Sequence, residues 1–294
     1  MPAARERSRG GTDRAATASG GLTDWTGATA TPDEDARTAA YYDLQYGFST
    51  DDDPWPDVDW FRSIASGADG PVLELGCGSG RIAVALAGDG HPVVGLDRSP
   101  AMLRRAADRA RAAGVAVDLV IGDLRDFSLG RRFGLVIVPF NTFLMVPPDE
   151  RRACLARIRK HLAPDGLLAL DVFQPDPSRI AGVDGGVVDE GSAIDRSTGD
   201  RITFFTSTRA TVDRTTHLLR IDAVGADGIV HRLERVLVLH FLYRREAELL
   251  LDAVGFEIVS LHGDHEGTPA DEHSARLLVV GRRLERGQRG DRRR

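Results

Sequence analysis

Acidic residues and closely spaced glycines stand at the ends of what the sequence predicts to be buried strands. Glu74 lies in an apolar run after Pro71, and Gly76, Gly78 and Gly80 follow it directly. Glycines permit a tight turn and let a ligand approach the bare backbone, and the first amides of the helix after the turn face the same point. This succession of strand, turn and helix predicts a site for a nucleotide-like ligand.

Two further acids follow the next two predicted strands. Asp97 comes about 20 residues after the glycines, where a carboxylate can accept hydrogen bonds from two ribose hydroxyls. Asp123 ends the third strand, where it can accept from an adenine amino group while the amide of Leu124 donates to the ring. The third acid is not part of the dinucleotide-binding pattern. We therefore expect Glu74, Asp97 and Asp123 to converge on one adenosyl group.

The stretch 72–81, VLELGCGSGR, resembles motif I of the class I S-adenosylmethionine (SAM)-dependent methyltransferases. Its glycine spacing is G-x-G-x-G, and Arg81 occupies the last glycine position of the dinucleotide fingerprint G-x-G-x-x-G. The resemblance continues through the sequence pattern D-x-S-x-x-M-L at 97–103 and extends to about Arg283. It implies that SAM is the cofactor. The residues that we assign to the cofactor on this basis are Glu74, Gly76, Cys77, Gly78, Gly80, Asp97, Arg98, Met102, Asp123, Leu124, Pro139 and Tyr46.

The elements that must position these residues alternate between strand and helix patterns. An N-terminal helix with clustered tyrosines is predicted over 36–48. Strands are predicted at 72–75, 92–96, 117–121, 133–139, 167–173, 257–261 and 276–281, with helices at 82–88, 99–113, 148–162 and 244–254. The resemblance implies an α/β Rossmann-like methyltransferase sheet of order 3-2-1-4-5-7-6, with helices on both faces and an antiparallel last strand.

The hydrophobic period changes between Pro175 and His240, where alternation predicts three or four antiparallel strands. The expected organisation is a disordered tail over 1–36, a SAM-binding domain formed by 37–174 and 241–283, a β insert over 175–240 and a basic tail over 284–294. Small-molecule methyltransferases that resemble this chain commonly place such an insert over the acceptor site. A dimerisation sheet is the alternative, and a homodimer is compatible with both interpretations.

The segment after the fourth strand should border the methyl group, and we assign Phe140, Asn141 and Met145 to the acceptor site. Nucleic-acid amino-methyltransferases carry an Asn/Asp-Pro-Pro-aromatic motif at this place to hold a flipped base. Here the residues are Pro-Phe-Asn-Thr at 139–142, and no cysteine nucleophile follows the strand. A small-molecule acceptor is therefore expected rather than a nucleic acid. Sugar-amine methyltransferases of similar build have a histidine where this chain has Met145, a difference that counts against a sugar-amine acceptor without excluding it.

His262 and Asp264, which follow the sixth strand together with His265, are the candidates for a general base. His240 at the end of the insert is a weaker candidate, and His273 lies further along the same loop. The spacing H-G-D-H fits no standard closed zinc site, so no metal is expected. Because the methyl group of a sulfonium is already activated, alignment of the reactants is the main requirement, and a base would assist an oxygen nucleophile most.

Composition restricts the remaining possibilities. A formal charge of −6 argues against a general nucleic-acid binder, and there is no apolar run of about 18 residues that would span a membrane. The two cysteines provide no disulfide framework, so a cytoplasmic protein is expected. The function predicted is methyl transfer to the nitrogen or oxygen of a small metabolite. The alternatives are a SAM-binding enzyme that catalyses a cyclisation or decarboxylation and an NAD-dependent oxidoreductase, against which Arg81 and Asp123 argue.

Overall fold

The computed structural model describes residues 31–48 and 55–285 of the 294-residue chain. The predicted tails therefore fall mostly outside the described residues. The helices are α1 (Pro32–Gln45), α2 (Pro56–Ala65), α3 (Arg81–Gly88), α4 (Pro100–Ala113), α5 (Pro148–His161), α6 (Pro177–Ala181) and α7 (Arg244–Val254). The strands are β1 (Val72–Leu75), β2 (Val93–Asp97), β3 (Asp118–Ile121), β4 (Phe133–Val138), β5 (Leu162–Phe173), β6 (Asp184–Ile194), β7 (Arg201–Ala210), β8 (Arg214–Val224), β9 (Val230–His240), β10 (Phe256–His262) and β11 (Arg276–Arg283).

The larger sheet has seven strands in the order β3-β2-β1-β4-β5-β11-β10. Strands β1 to β5 are parallel, whereas β11 runs antiparallel to both of its neighbours. The predicted order and the antiparallel last strand are confirmed. The ends of β1, β2 and β4 that lead into ligand-binding turns thus lie at one edge of the sheet, where α/β proteins place their sites.

Both faces of this sheet are covered by helices. One face forms a core with α2 and α3, in which Val72, Ile137 and Ala169 are buried beside Phe61. The other face packs on α5 and α7, with the fully buried Ile158 and Leu251 among its contacts. Burial of both faces explains why the central strands read as nearly continuous apolar runs.

Two predicted boundaries were wrong. Helix α1 begins at Pro32 rather than near residue 36, because Thr31 and Glu34 form a capping box and proline is well suited to the first turn. Strand β5 begins at Leu162 rather than at Leu167, since Leu162 already pairs with Phe133. The predicted turn at 164–166 is an irregularity within that strand, where the pairing with β4 is interrupted and Asp165 has a φ of 56°.

The insert is a separate antiparallel sheet of four strands in the order β6-β7-β8-β9. Its inner face buries Ile202, Phe204, Ile221 and Leu233 against α1, through Tyr41 and Leu44. The predicted small antiparallel insert is thereby confirmed. Strand β6 is the least regular of the four, because a bulge between Asp189 and Gly191 interrupts its pairing with β7.

Helix α1 also packs on the larger domain. Ala39 is buried with Ala101 and Met102 of α4, and Tyr42 packs against this group. The helix therefore lies between the insert and α4 and contacts both. Among the residues that the structure describes, no helix is long and apolar enough to cross a membrane.

Candidate functional site

The glycine turn after β1 is shaped by three left-handed residues. Gly76, Gly78 and Gly80 have φ values of 74°, 54° and 79°, which side-chain-bearing residues rarely adopt. A Cβ added at Gly76 would lie 2.5 Å from Cγ2 of Thr142, and one added at Gly80 would lie 2.8 Å from Cβ of Ala106. A Cβ at Gly78 would meet nothing within 4 Å. The first and third glycines are required by packing, whereas Gly78 borders open space.

Asp97 at the end of β2 is hydrogen-bonded to this turn. Its Oδ2 accepts from the amide of Gly78 at 2.8 Å, and its Oδ1 accepts from the amide of Ser99 at 2.9 Å. Burial raises the pKa of Asp97, and the two backbone amides oppose that effect. Each oxygen keeps a lone pair for a further donor. The carboxylate thus joins two successive strand ends beside the turn.

Glu74 is buried, with 3% of its surface exposed, and its Oε2 has no hydrogen-bond partner among the described residues. Burial raises its pKa to about 8, although nearby Arg81 acts in the opposite direction. Arg81 does not neutralise Glu74 directly, because it is paired with Asp57 at 2.7 and 2.5 Å and lies over the ring of Phe48. An oxygen left without a partner in a buried site is costly unless a ligand donates to it.

A cleft opens between this turn and the end of β4. The residues that line it are Tyr42, Phe48, Glu74, Gly76, Cys77, Gly78, Ser79, Arg81, Ile82, Pro139, Phe140 and Thr142. Tyr46 lies beside it, with its ring edge-on to Phe140 at 5.2 Å between centroids. Five of the predicted cofactor residues, namely Glu74, Gly76, Cys77, Gly78 and Pro139, therefore line one cleft.

The remaining predicted cofactor residues have other surroundings. Asp123 is held by Arg125, with 2.6 Å between Oδ2 and Nη2; burial raises its pKa, but the hydrogen bonds from Arg125 lower it overall. Leu124 packs against the main core, and Met102 is buried beside α1. Arg98 is exposed. Of the three acids, Glu74 and Asp97 border the glycine turn, whereas Asp123 is engaged by a neighbouring cation.

Two carboxylates attach α1 above the cleft, and the sequence analysis missed both. Asp43 is buried and accepts from Oγ of Ser79 at 2.6 Å and from Nη2 of Arg105 at 2.8 Å. Asp35 accepts from the hydroxyl of Ser99 and from the amide of Ala101, and so caps the N-terminus of α4. The sequence signal was two acids eight residues apart, about two helical turns, on one face of α1.

The turn after β4 has consecutive left-handed residues, Phe140 and Asn141, with φ values of 51° and 64°. The amide of Asn141 donates to the carbonyl of Asp171, and the Oδ1 of Asn141 accepts from the amide of Phe173 at 2.7 Å. Asn141 therefore fastens the turn to β5. Met145, in a short 3-10 helix, packs against the main core. Of the three predicted acceptor residues, only Phe140 lines the cleft.

The two predicted bases differ in their surroundings. Asp264 is engaged in its own loop, where it accepts from the amides of Glu266 and Thr268, and the hydrogen bonds from Thr268 lower its pKa. His262 ends β10, and its Nδ1 is buried without a hydrogen-bond partner in the described part of the chain. The neighbouring His265 instead lies beside a buried acid, Asp171 of β5, with 3.5 Å between Nε2 and Oδ2. Within residues 31–48 and 55–285, no group of three or more ligating side chains could hold a metal ion.

Comparison with known proteins gives the same family that motif I suggested. A profile described as "Methyltransferase domain" matches residues 72–166. The cypemycin N-terminal methyltransferase of a Streptomyces species is 31% identical over 216 residues, which cover 71% of this chain and 81% of that protein. The carboxy-S-adenosyl-L-methionine synthase of Chromohalobacter salexigens is 35% identical over 113 residues, and the match spans 36% of this chain and 41% of the synthase.

A solved structure adds a small-molecule enzyme to this group. It is the SAM-bound amino pentose methyltransferase CalS10 from Micromonospora echinaspora, which is involved in calicheamicin biosynthesis. It is 27% identical, the alignment covers 83% of this chain and 96% of that one, and the TM-score is 0.60.

Proposed function

We propose that this chain transfers the methyl group of SAM to a nitrogen atom of a small-molecule acceptor. The chain belongs to the class I SAM-dependent methyltransferases. The choice of nitrogen is supported by two similar proteins, one named an N-terminal methyltransferase and the other an amino pentose methyltransferase. Oxygen methylation is the closest alternative, and the acceptor screen described below distinguishes the two by the site of the added methyl group.

The observation that carries the cofactor assignment is the buried Oε2 of Glu74, which lies on the cleft without a hydrogen-bond partner among the described residues. An ammonium group satisfies such an oxygen and favours its charged form. We assign Glu74 to the amino group of the methionine part of SAM and Asp97 to the ribose hydroxyls. The amide of Gly78 borders the same space, and Met102, Asp123 and Leu124 are assigned to the adenine end.

SAM, when bound, supplies a methyl group on a positively charged sulfur, so displacement requires alignment of the acceptor more than activation of the methyl group. The chain contributes that alignment and keeps water out. Tyr42, Phe48 and Phe140 form an aromatic wall along the cleft, and Tyr46 extends it. Sequestration of this kind strengthens polar contacts with the reactants and reduces side reactions.

The inner face of the insert is the proposed cover of the acceptor site. Ile202 and Phe204 face α1, and the period of two places Thr206 and Thr208 on the same face of β7. Thr208 is opposite His217 of β8, whose ring nitrogens lie 2.9 Å from Oγ1 of Thr208 and 3.0 Å from Oγ1 of Thr215. Burial lowers the pKa of His217, so it is neutral at pH 7. These polar groups can bind hydroxyls of an acceptor.

Arg235 of β9 is on that face as well, opposite Leu219 of β8. Burial raises the pKa of Tyr46, the positive charge of Arg235 opposes that rise, and the negative charge of Glu190 adds to it. The domain arrangement that we propose is thus a SAM-binding domain of 37–174 and 241–283 beneath an acceptor-covering insert of 175–240.

Two further parts of the proposal concern the setting of the enzyme. Cys77 and Cys154 are free and buried, which suits a reducing compartment such as the cytoplasm.

Strand β6 is an edge strand with exposed Val187, Val188 and Ile194, a composition that favours a homodimer through the insert. Analytical ultracentrifugation of the purified chain tests the dimer.

A second candidate function is a SAM-dependent reaction without methyl transfer. It is favoured by the likeness to a carboxy-S-adenosyl-L-methionine synthase, although the chain matches only 41% of that enzyme's length. The two functions differ in their products. Methyl transfer converts SAM to S-adenosylhomocysteine and adds one methyl group to an acceptor, whereas the alternative leaves every acceptor without an added methyl.

The experiment combines calorimetric titration with SAM and a mass-spectrometric screen of small amines, amino sugars and short peptides with free N-termini. Asp97→Ala removes the acceptor of two backbone hydrogen bonds and the proposed ribose contact, so SAM affinity should fall about 100-fold or more. Asp118→Ala is the matched control, because Asp118 is an exposed acid paired only with Arg131 in the described structure. Equal affinities in the two variants would contradict the assignment of the cleft.

A further inference from the structure

The carboxyl edge of the larger sheet carries a second buried acid, Asp171, on the same face as Glu74. The register aligns Glu74 of β1 with Ile137 of β4, and Ile137 with Ala169 of β5. Asp171 is two residues beyond Ala169 and therefore points to the same face. It is level with Pro139, because Val138 pairs with Leu170. Pro139 lines the cleft, so Asp171 lies one strand away from it, on the side opposite Glu74.

Asp171 is the centre of a charged group. It is 1% exposed, and its Oδ1 accepts from Nε of Arg276 at 2.7 Å while its Oδ2 lies 3.5 Å from Nε2 of His265. Burial raises the pKa of Asp171, but His265 and Arg276 lower it overall, so the acid is a carboxylate at neutral pH. The imidazole of His265 is also in edge contact with Trp60, at 6.2 Å between centroids.

We propose that His265, oriented by Asp171, accepts the proton that the acceptor amine must lose before it is methylated; this inference rests on the proposed N-methylation. With Nε2–H donated to Asp171, the other ring nitrogen, Nδ1, is the basic one. A separation of 3.5 Å is long for such a hydrogen bond, as is common for catalytic pairs before the reactants are bound. Asp171 fixes the tautomer and stabilises the imidazolium that forms.

The chemistry of an amine acceptor requires this group. An aliphatic ammonium has a pKa near 10 and offers no lone pair at neutral pH. Its N–H bond breaks as the proton passes to Nδ1 of His265. The nitrogen lone pair then forms the N–C bond while the C–S bond breaks, and the electrons of that bond remain on sulfur. His265 finally releases its proton to water, which restores the base.

Two other titratable groups, Asp264 and His217, are less suitable as bases. Asp264 is engaged by backbone amides of its own loop, and both ring nitrogens of His217 are within hydrogen-bond distance of threonine hydroxyls. The charged partner of His265 is Asp171 of β5, which Arg276 of β11 also contacts, while Trp60 of α2 is uncharged. Of the histidines that follow the sixth strand, His265 is thus the one held by a buried carboxylate.

The test uses His265→Gln in the full chain, with the amine that the wild-type enzyme methylates in the screen. Glutamine can still donate an N–H to Asp171, but it cannot accept a proton. We expect kcat to fall about 100-fold at pH 7 and the loss to shrink as the pH approaches the pKa of the amine. SAM affinity measured by calorimetry should not change. His273→Gln, an exposed residue of the same loop, is the matched control with wild-type rates.

A second measurement needs no acceptor. Nitrogen-15 NMR of histidine-labelled enzyme, with His265 assigned through the glutamine variant, should show the Nε2–H tautomer, and Asp171→Asn should change it. Detection of the Nδ1–H tautomer in the wild type, or a glutamine variant with the wild-type rate and pH profile, would overturn the role of His265. If the wild type binds no SAM or methylates no amine, the proposed function fails instead, and the NMR result still decides the orientation of His265.

Discussion

The floor and the roof of the cleft are built in different ways. The floor consists of the turn 74–81 and Asp97, and the roof consists of α1 and the insert strands β6 to β9. In the floor, Asp97 and Gly78 are joined across 19 residues of sequence. In the roof, Asp43 reaches Ser79 across 36 residues, Asp35 reaches Ala101 across 66, and Arg37 donates to the carbonyl of Arg232 across 195.

This difference separates what binds the cofactor from what covers it. The floor depends on backbone conformation and on the buried Glu74, whose Oε2 has no hydrogen-bond partner among the described residues. Its affinity for the cofactor is therefore set by a few local groups. The roof depends on side-chain carboxylates and aromatic contacts between distant segments. Changes in the floor should therefore affect affinity directly, whereas changes in the roof should affect stability and affinity together.

The largest effect is expected from the pH dependence of the floor. Since the pKa of Glu74 is about 8, its carboxyl group is mostly protonated below that pH and must ionise to bind an ammonium group. SAM affinity should rise by on the order of tenfold per pH unit between pH 6 and 8. Calorimetry across this range tests it. Glu74→Gln should bind weakly with a flat profile, and Glu248→Gln, on α7, should keep the wild-type slope.

The raised pKa of Glu74 also predicts how the stability of the protein changes with pH. The folded pKa of Glu74 is raised above its ordinary value of 4.5, so the native state binds more protons than the unfolded state between about pH 4.5 and 8. The contribution of Glu74 to stability is thus complete below pH 4.5 and is lost as pH rises through 8. Denaturation of ligand-free protein should show a smaller decline with pH in Glu74→Gln than in the wild type. Parallel curves would contradict the burial of this acid.

The roof should respond to loss of a single carboxylate. Asp43→Ala leaves the hydroxyl of Ser79 and the guanidinium groups of Arg105 and Arg109 without their shared acceptor. We expect the free energy of unfolding to fall by about 2 kcal/mol and SAM affinity to fall about tenfold, because α1 would dock less firmly. Urea denaturation and calorimetry measure the two quantities. Asp33→Ala, an exposed acid on the same helix, should change neither.

The smallest effect is expected on the outer face of the insert. Glu234 pairs with Arg220 there; the Glu234 side chain is exposed and that of Arg220 is partly exposed. Exposed ion pairs contribute little to stability. Glu234→Ala should therefore change the free energy of unfolding by no more than about 0.5 kcal/mol and leave methylation rates unchanged. A loss of activity in this variant would mean that the outer face takes part in acceptor binding.

The same division explains what the sequence could predict. The glycine turn, Asp97 and the order of the larger sheet follow from local patterns and a motif within about ten residues, and the structure has the predicted order. Asp43, Asp171 and His265 acquire their surroundings only through contacts between distant segments. Asp171 is one acid near the end of the apolar run LLALDVF, and nothing in its neighbours indicates that His265, 94 residues later, lies against it.

The position of α1 in the chain has a consequence for biosynthesis. The apolar side chains Tyr41 and Leu44 of this helix pack against Ile202, Ile221 and Leu233, which are synthesised about 160 to 190 residues later. Until the insert has been translated, Tyr41 and Leu44 have no apolar surface of the insert to pack against. Helix α1 can therefore complete its packing on the insert only after β9 has been translated, so a nascent polypeptide cannot close the roof over a ligand before that point.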